Sequence, residues 1–314
     1  MSEFDLIRRH FTRSSPSAFL GVGDDAALLQ VSAGNVLVVS SDMLVSGTHF
    51  FPDADPFMLG HKTLAVNLSD MAAMGGMPRW ATMAIALPDA DEAWLERFSA
   101  GFFALAQQHG VELVGGDTTR GPLNLCVTIL GEAPGKHVLR RSGAQVGDEV
   151  WISGTLGDAA LALAHLKGRI GLTTDELNKC ASALHQPQPR VALGLALRGI
   201  ASSAIDISDG LLGDLGHILE ASEVGAEIEF KLLPASNAQL RIESSQRYIL
   251  SGGDDYELCF TAPVNQHAKL LDISEQLDLP LACVGEIVAE RGCVVHDASG
   301  NLIEIGDGSY DHFR

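Results

Sequence analysis

The chain predicts a two-domain α/β (α+β) protein, on three observations. Its 314 residues exceed one typical domain of roughly 100–200 residues and suit two. Short β-branched apolar runs alternate with longer stretches whose apolar residues recur at helical spacing. A Gly-rich, charged stretch around 132–148, EAPGKHVLRRSGAQVGDE, has neither period and separates the two halves. The expected domains are residues 1–135 and 136–314.

Taken in order, VLVVS (36–40) reads as a strand, and Asp42 just beyond it is expected where that strand leaves the core. Residues 57–75 read as a helix. Within it HKTLAVNLSDMAAMGG is apolar apart from a few polar positions, so Asp70 needs a cation, hydrogen-bond donors or solvent. ATMAIAL (81–87) is a strand, 91–110 a helix, and VELVGG places Asp117 at another expected strand end. CVTIL (126–130) closes the first half. In the second, EVWIS (149–153) and AEIEF (226–230) read as strands, and 158–168 and 189–200 as helices. SSAID runs into a helix over 210–222, whose Leu211, Leu212, Leu215, Ile218 and Leu219 share one face.

Composition narrows the function. Hydrophobic residues make up 46% and charged residues 19%, which is enough apolar surface for an independent core. A net charge of −19, with no basic patch, argues against nucleic acid and anionic membranes as partners. No basic-plus-apolar leader and no apolar run near the roughly 20 residues of a membrane span is present, so a cytoplasmic location is expected. The five cysteines lack CxxC or Cys/His metal spacing and read as reduced core residues.

Six segments set aspartate beside glycine or small polar residues: Gly23-Asp24-Asp25, Ser40-Ser41-Asp42, Asn67-Leu68-Ser69-Asp70, Gly115-Gly116-Asp117, Asp206-Ile207-Ser208-Asp209-Gly210 and Gly252-Gly253-Asp254-Asp255. Each alone is explicable as a turn or a helix cap. Their repeated position next to apolar elements points instead to hard oxygen ligands, which favour magnesium over zinc or copper. The 206–210 segment adds a helix N-terminus, suited to phosphate through its N–H groups and dipole. GVGDDA fits a dinucleotide fingerprint only superficially, since no good strand precedes it and two carboxylates would repel a pyrophosphate. Walker A, protein-kinase, GxSxG and HExxH motifs are absent. Ser153 to Asp158 reads as a tight turn. Of Lys62, Arg120, Arg140 and Arg141, Arg141 and after it Arg120 are the candidates for an anionic ligand, and the others read as surface charge.

In succession, GVGDDAAL, SSDMLVSGTHF, KTLAVNLSDMAAMG, ELVGGDTTRGP, RSGAQVGD, AIDISDGLLGDLGHI, SGGDDYELCF and GSYDHF resemble the thiamine-monophosphate kinase family, within the superfamily that includes aminoimidazole ribonucleotide synthetase. The resemblance implies a two-domain fold of that type, with the N-terminal domain binding ATP and magnesium and pairing across a homodimer. It implies Mg²⁺ ligands at Asp25, Ser40, Ser41, Asp42, Asp70, Asp117, Asp206 and Asp209, and ATP contacts at Gly116, Asp117, Arg141 and Ser208. His49, Asp254 and Tyr310 would line a thiamine phosphate pocket. The implied reaction is phosphoryl transfer from ATP to thiamine phosphate by positioning and charge neutralisation, without a general base. The chain departs from the family's GGEDYEL at Gly253-Asp254-Asp255, where the first carboxylate is one methylene shorter, and has Ser41 where many relatives have Thr. Other ATP-using members of the superfamily, or a non-catalytic nucleotide or divalent-ion sensor, are the alternatives. A selenophosphate synthetase would be expected to carry an N-terminal Cys, and the first here is Cys126.

Overall fold

The computed structural model describes residues 3–242 and 245–303. The chain forms two compact units, divided between Lys136 and His137, with Ala72–Gly75 clustering with the second.

Up to Lys136 the elements are α1 (Glu3–Leu6) with a π-helical turn (Ile7–Phe11), β1 (Asn35–Val45), α2 (Pro56–Ala73), β2 (Met77–Leu87), α3 (Glu92–His109), β3 (Glu112–Arg120) and β4 (Asn124–Pro134). The sheet order is β1-β4-β2-β3. β4 is antiparallel to both neighbours, and β2 and β3 are parallel, joined by α3 as parallel strands require. Asp91 caps α3 by accepting from the N–H groups of Ala93 and Trp94, and Gly110 ends it at φ +65°.

Strand alternation gives β1 two unlike faces. Val38 and Leu44 are buried on one side with Ser40 and Asp42 between them, while Leu37, Val39, Ser41 and Met43 are exposed on the other. In α2 every residue from His61 to Ser69 is buried and Asp70 is half-buried. Two glycines hold this helix against α3. A Cβ on Gly60 would lie 2.0 Å from the Phe98 carbonyl oxygen, and one on Gly101 1.9 Å from that of Phe57. Backbone meets backbone there, which fixes the register of the helix that carries Asp70.

From His137 onward come β5 (Asp148–Ser153), α4 (Asp158–Leu166), α5 (Thr174–His185), α6 (Val191–Ala196), β6 (Ser203–Ile207), α7 (Leu211–Ser222), β7 (Gly225–Glu229), α8 (Asn237–Arg241), α9 (Gln246–Ser251), β8 (Glu257–Pro263), α10 (His267–Leu277), β9 (Leu281–Val288) and β10 (Gly292–His296). The sheet order is β10-β7-β9-β5-β8-β6, parallel only between β10 and β7. Ile152, Ile205, Ile207, Leu211, Leu215 and Ile218 belong to its core, so the apolar face of α7 packs as its spacing predicts.

Three expectations are corrected. Asp42 and Asp117 lie inside strands, not at strand ends. β1 continues through Ser40-Ser41-Asp42 because β4 pairs with it along its whole length, from Asn35↔Pro134 to Val45↔Asn124. The helix expected over 189–200 shrinks to Val191–Ala196, and the chain turns at Gly199 with φ +72°. Among the described residues, no helix is long and apolar enough to cross a membrane.

Candidate functional site

In the N-terminal unit the acidic residues gather in two places. At the first, Ser40 Oγ donates to Asp70 Oδ2 (2.5 Å), and the backbone N–H of Asp42 donates to Asn67 Oδ1 (3.2 Å). Asn67 is held in turn by the Thr63 carbonyl oxygen (3.2 Å). The inward face of β1 is thereby tied to one face of α2, with Ser40, Asp42 and Asp70 together. Ser41 points to the opposite face, where its hydroxyl meets Thr128 Oγ1 (2.9 Å) and the Val127 carbonyl oxygen (3.2 Å). His49 closes the turn after β1, its Nδ1 accepting from the Val45 N–H (2.9 Å), so the neutral ring carries its proton on Nε2.

The second place is a cavity of about 640 Å³, lined in part by Phe11, Asp25, Thr82, Met83, Gly116 and Asp117. A Cβ at Gly116 would stand 1.9 Å from the Met83 carbonyl oxygen, and its φ is +149°, so glycine is required there. Asp42, Val127, Met83 and Gly116 are paired in one row across all four strands. Three strand spacings put the Asp42 and Gly116 backbones about 14 Å apart. Within this unit Asp42 and Asp117 therefore do not share one ion, and the donors divide into two sets. Both sets offer carboxylate and hydroxyl oxygen without thiol or imidazole, a composition that fits magnesium.

In the C-terminal unit, β6 carries Asp206, buried, and leads through Ser208-Asp209-Gly210 into α7. Gly210 sits at φ +113°, and a Cβ there would lie 2.7 Å from the Ser251 carbonyl carbon. The 252–256 loop lies over this junction. The N–H of Asp254 donates to the Ser208 carbonyl oxygen and that of Tyr256 to the Ile207 oxygen, both at 2.8 Å. Asp254 has φ +69°, a conformation aspartate adopts more readily than most residues, and its Oδ1 accepts from the Tyr256 hydroxyl (3.1 Å). Asp206, Ser208, Asp209 and Asp254 are thus brought to one corner. Arg141 is exposed, on a segment whose Arg140 carbonyl oxygen accepts from the Ala204 N–H (2.9 Å) at the start of β6. Tyr310 lies outside the described residues.

One expectation about this corner changes. The N–H groups of Ser208 and Asp209, expected to be available to phosphate, both donate to Asp214 Oδ2 at 3.0 Å. Asp214 escaped the sequence reading. Its signal was a carboxylate in the first turn of α7, the favoured sign at a helix N-terminus. Burial, opposed by these backbone hydrogen bonds, pushes its carboxyl up to about 6. Because the folded value is raised, ionisation costs the folded state. Without divalent cations the Asp214 contribution to stability should fall by about 3 kcal/mol as pH rises from about 4 to about 6, then level off. Asp214→Asn keeps an acceptor oxygen and should remove that slope in urea melts run across this range with chelator. A variant whose slope equals the parent's would contradict the assignment.

Family models for AIR synthase related proteins match both halves, the N-terminal domain over residues 23–133 and the C-terminal domain over 145–298. The chain is 47% identical to a thiamine-monophosphate kinase of Escherichia coli K12 over 320 aligned residues, covering 99% of this chain and 98% of the relative. It is 40% identical to the Haemophilus influenzae thiamine-monophosphate kinase, covering 100% and 98%. The crystal structure of thiamine-monophosphate kinase from Stenotrophomonas maltophilia K279a superposes with TM-score 0.88 at 48% identity, covering 96% of this chain and 98% of that one. The structure described as AaThiL complexed with AMPPCP and TMP gives TM-score 0.78 at 28% identity, covering 99% and 96%. With both domain models matched and such identity along almost the entire length, the chain belongs to the thiamine-monophosphate kinase family of AIR synthase related proteins.

Proposed function

We propose that this chain transfers the γ-phosphoryl group of ATP to the phosphate of thiamine phosphate, giving thiamine diphosphate and ADP. The observation that carries this reading is the full-length similarity to thiamine-monophosphate kinases, together with a related structure holding AMPPCP and TMP. AMPPCP is an ATP analogue whose β–γ bridge resists cleavage, so its presence beside TMP supports a direct meeting of donor and acceptor.

The acceptor oxygen is already anionic at neutral pH, so no side chain has to remove a proton. The difficulty is repulsion between two anions, and magnesium ions, when bound, supply the charge that offsets it. Asp25, Ser40, Ser41, Asp42, Asp70, Asp117, Asp206 and Asp209 would hold them. Gly116, whose missing side chain lets backbone approach a ligand closely, would contact ATP with Asp117, Arg141 and Ser208. Asp254 brings a carboxylate near the cationic thiazolium of thiamine, with His49 and Tyr310 completing the pocket. In this reading the N-terminal unit serves ATP and magnesium, and the C-terminal unit contributes Asp206, Ser208, Asp209 and Asp254.

The working form in this reading is a cytoplasmic homodimer. Supporting it, Leu37, Val39 and Met43 are 45%, 53% and 56% exposed on one face of β1, an apolar stripe that a second copy would cover. A sedimentation mass of one chain at micromolar concentration would contradict the pairing.

The decisive assay couples ADP release to thiamine phosphate, thiamine and aminoimidazole-pathway acceptors in parallel, with and without magnesium. ADP release with thiamine phosphate alone, abolished by chelator, is expected. Release with another acceptor, or tight ATP binding without turnover of any, would overturn the reading.

A further inference from the structure

Away from the aspartates, three side chains of the C-terminal unit converge that no motif in the sequence links: Glu149 on β5, His267 opening α10 and Cys283 on β9. One carboxylate oxygen, one imidazole nitrogen and the thiol sulfur all lie within 4.8 Å of one another. We propose that these three residues form a binding site for one Zn²⁺ ion per chain.

The backbone is arranged to bring them together. Along β5 and β9, Glu149 pairs with Glu286 and Val150 with Gly285, and then the register shifts so that Trp151 pairs with Cys283. Without that bulge Trp151 would oppose Val284, and Cys283 would face the other side of the sheet. With it, Cys283 shares the face of Glu149 and Trp151. Re-aiming a side chain is a recurrent use of β-bulges beside functional sites. Val284, displaced by the bulge, is fully buried in the core, which anchors the arrangement.

Neighbouring groups orient the ligands as metal sites require. Trp151 Nε1 donates to Glu149 Oε2 (3.1 Å), and the indole meets the His267 ring edge-on at a centroid distance of 4.9 Å. His267 Nδ1 lies 2.8 and 2.9 Å from the two Glu149 oxygens. The Trp151 contacts are of the outer kind that fix ligand rotamers, and the ion would replace the direct contact between His267 and Glu149. The His267 side chain is 43% exposed and that of Glu149 16%, leaving an approach from solvent and a coordination position for water.

The donor set selects the metal. One nitrogen, one sulfur and one oxygen suit zinc, and are a poor set for magnesium, which prefers oxygen alone. Zinc bond lengths of about 2.0–2.3 Å place tetrahedral ligands about 3.3–3.8 Å apart, so side-chain adjustments of about 1 Å close the site. Charge balances as well. Glu149 as carboxylate and Cys283 as thiolate offset the two charges of the ion. Burial, aided by the Glu149 carboxylate, pushes the free Cys283 thiol up to about 11, so it is protonated near neutral pH. Forming the Zn–S bond releases that proton to solvent, and affinity should weaken as pH falls.

Co²⁺ tests the site on the full chain, because thiolate ligation gives a near-ultraviolet charge-transfer band that oxygen ligation lacks. The intact protein should develop this band to one equivalent and lose it on adding one equivalent of Zn²⁺. Cys283→Ser should abolish the band, and His267→Gln should weaken Co²⁺ binding at least tenfold. Asp70→Asn should leave the band unchanged, which separates this site from the aspartate clusters. Absence of the band from the intact protein at tenfold excess Co²⁺, or its persistence in Cys283→Ser, would overturn the proposal. The first of these outcomes needs no variant and does not depend on the proposed kinase activity.

Discussion

Replacing Asp70 by Asn should lower kcat with thiamine phosphate on the order of a thousandfold while leaving the unfolding midpoint of the metal-free protein within about 2 °C of the parent. The substitution is close to isosteric, and the amide oxygen can still accept from Ser40 Oγ, which donates to Asp70 Oδ2 in the native protein. What disappears is one negative charge at the end of a helix whose preceding nine residues, His61–Ser69, are all buried. A carboxylate there is well placed to meet a cation as well as the Ser40 hydroxyl. The native chain should therefore gain thermal stability from magnesium and ATP by mass action, and the variant should gain much less. Calorimetry with and without both ligands, beside the ADP assay, distinguishes a lost ligand from a lost fold. Retained turnover, or equal stabilisation of both proteins, would remove Asp70 from the metal assignment.

Arg190→Met should cost about 3–5 kcal/mol and lower the unfolding midpoint of the C-terminal unit by roughly 10 °C. Glu257, at the start of β8, is 5% exposed, accepts from Ser153 Oγ (2.6 Å), and is gripped by Arg190 through both Nε (2.6 Å) and Nη2. Asp255 lies two residues before it, buried, its carboxyl raised well above the usual range by burial despite two hydrogen bonds from the Gly157 N–H (2.9 Å each). Removing the guanidinium leaves Glu257 buried without its cation and next to a second acid. Converting Glu257 to Gln in the same chain should recover much of the loss, because the uncompensated charge is then gone. An Arg190→Met protein that melts with the parent would show that the pair contributes little.

Local physics made much of this legible in advance. The apolar period of Leu211, Leu215 and Ile218 specified α7, and Asp70 stood out because a lone acid in an apolar helix is costly wherever the helix packs. Glycines next to aspartate, Gly116 before Asp117 and Gly210 after Asp209, marked the corners where added Cβ atoms would strike backbone. Resemblance then ordered these aspartates into a family pattern, to which the matching domain models and relatives assign the chain. Less legible were β8 to β10. The β8 sequence ELCFTAP is buried from Glu257 to Ala262, and a strand covered on both faces shows no alternation to read.

By itself, then, the sequence determined the α/β class and the family, and set the expectation of two halves and an oxygen-rich metal site, because each depends on residue type, short-range period or order along the chain. Only the tertiary structure decided which aspartates share a location. Strand alternation set the Ser41 hydroxyl on the opposite face from Ser40, and four-strand pairing held Asp42 apart from Gly116. Folding of α7 gave the Ser208 and Asp209 N–H groups to Asp214. A one-residue bulge brought Cys283 to Glu149 and His267 across 134 positions of chain, from 149 to 283. These outcomes rest on register and packing between distant segments, which no local period encodes.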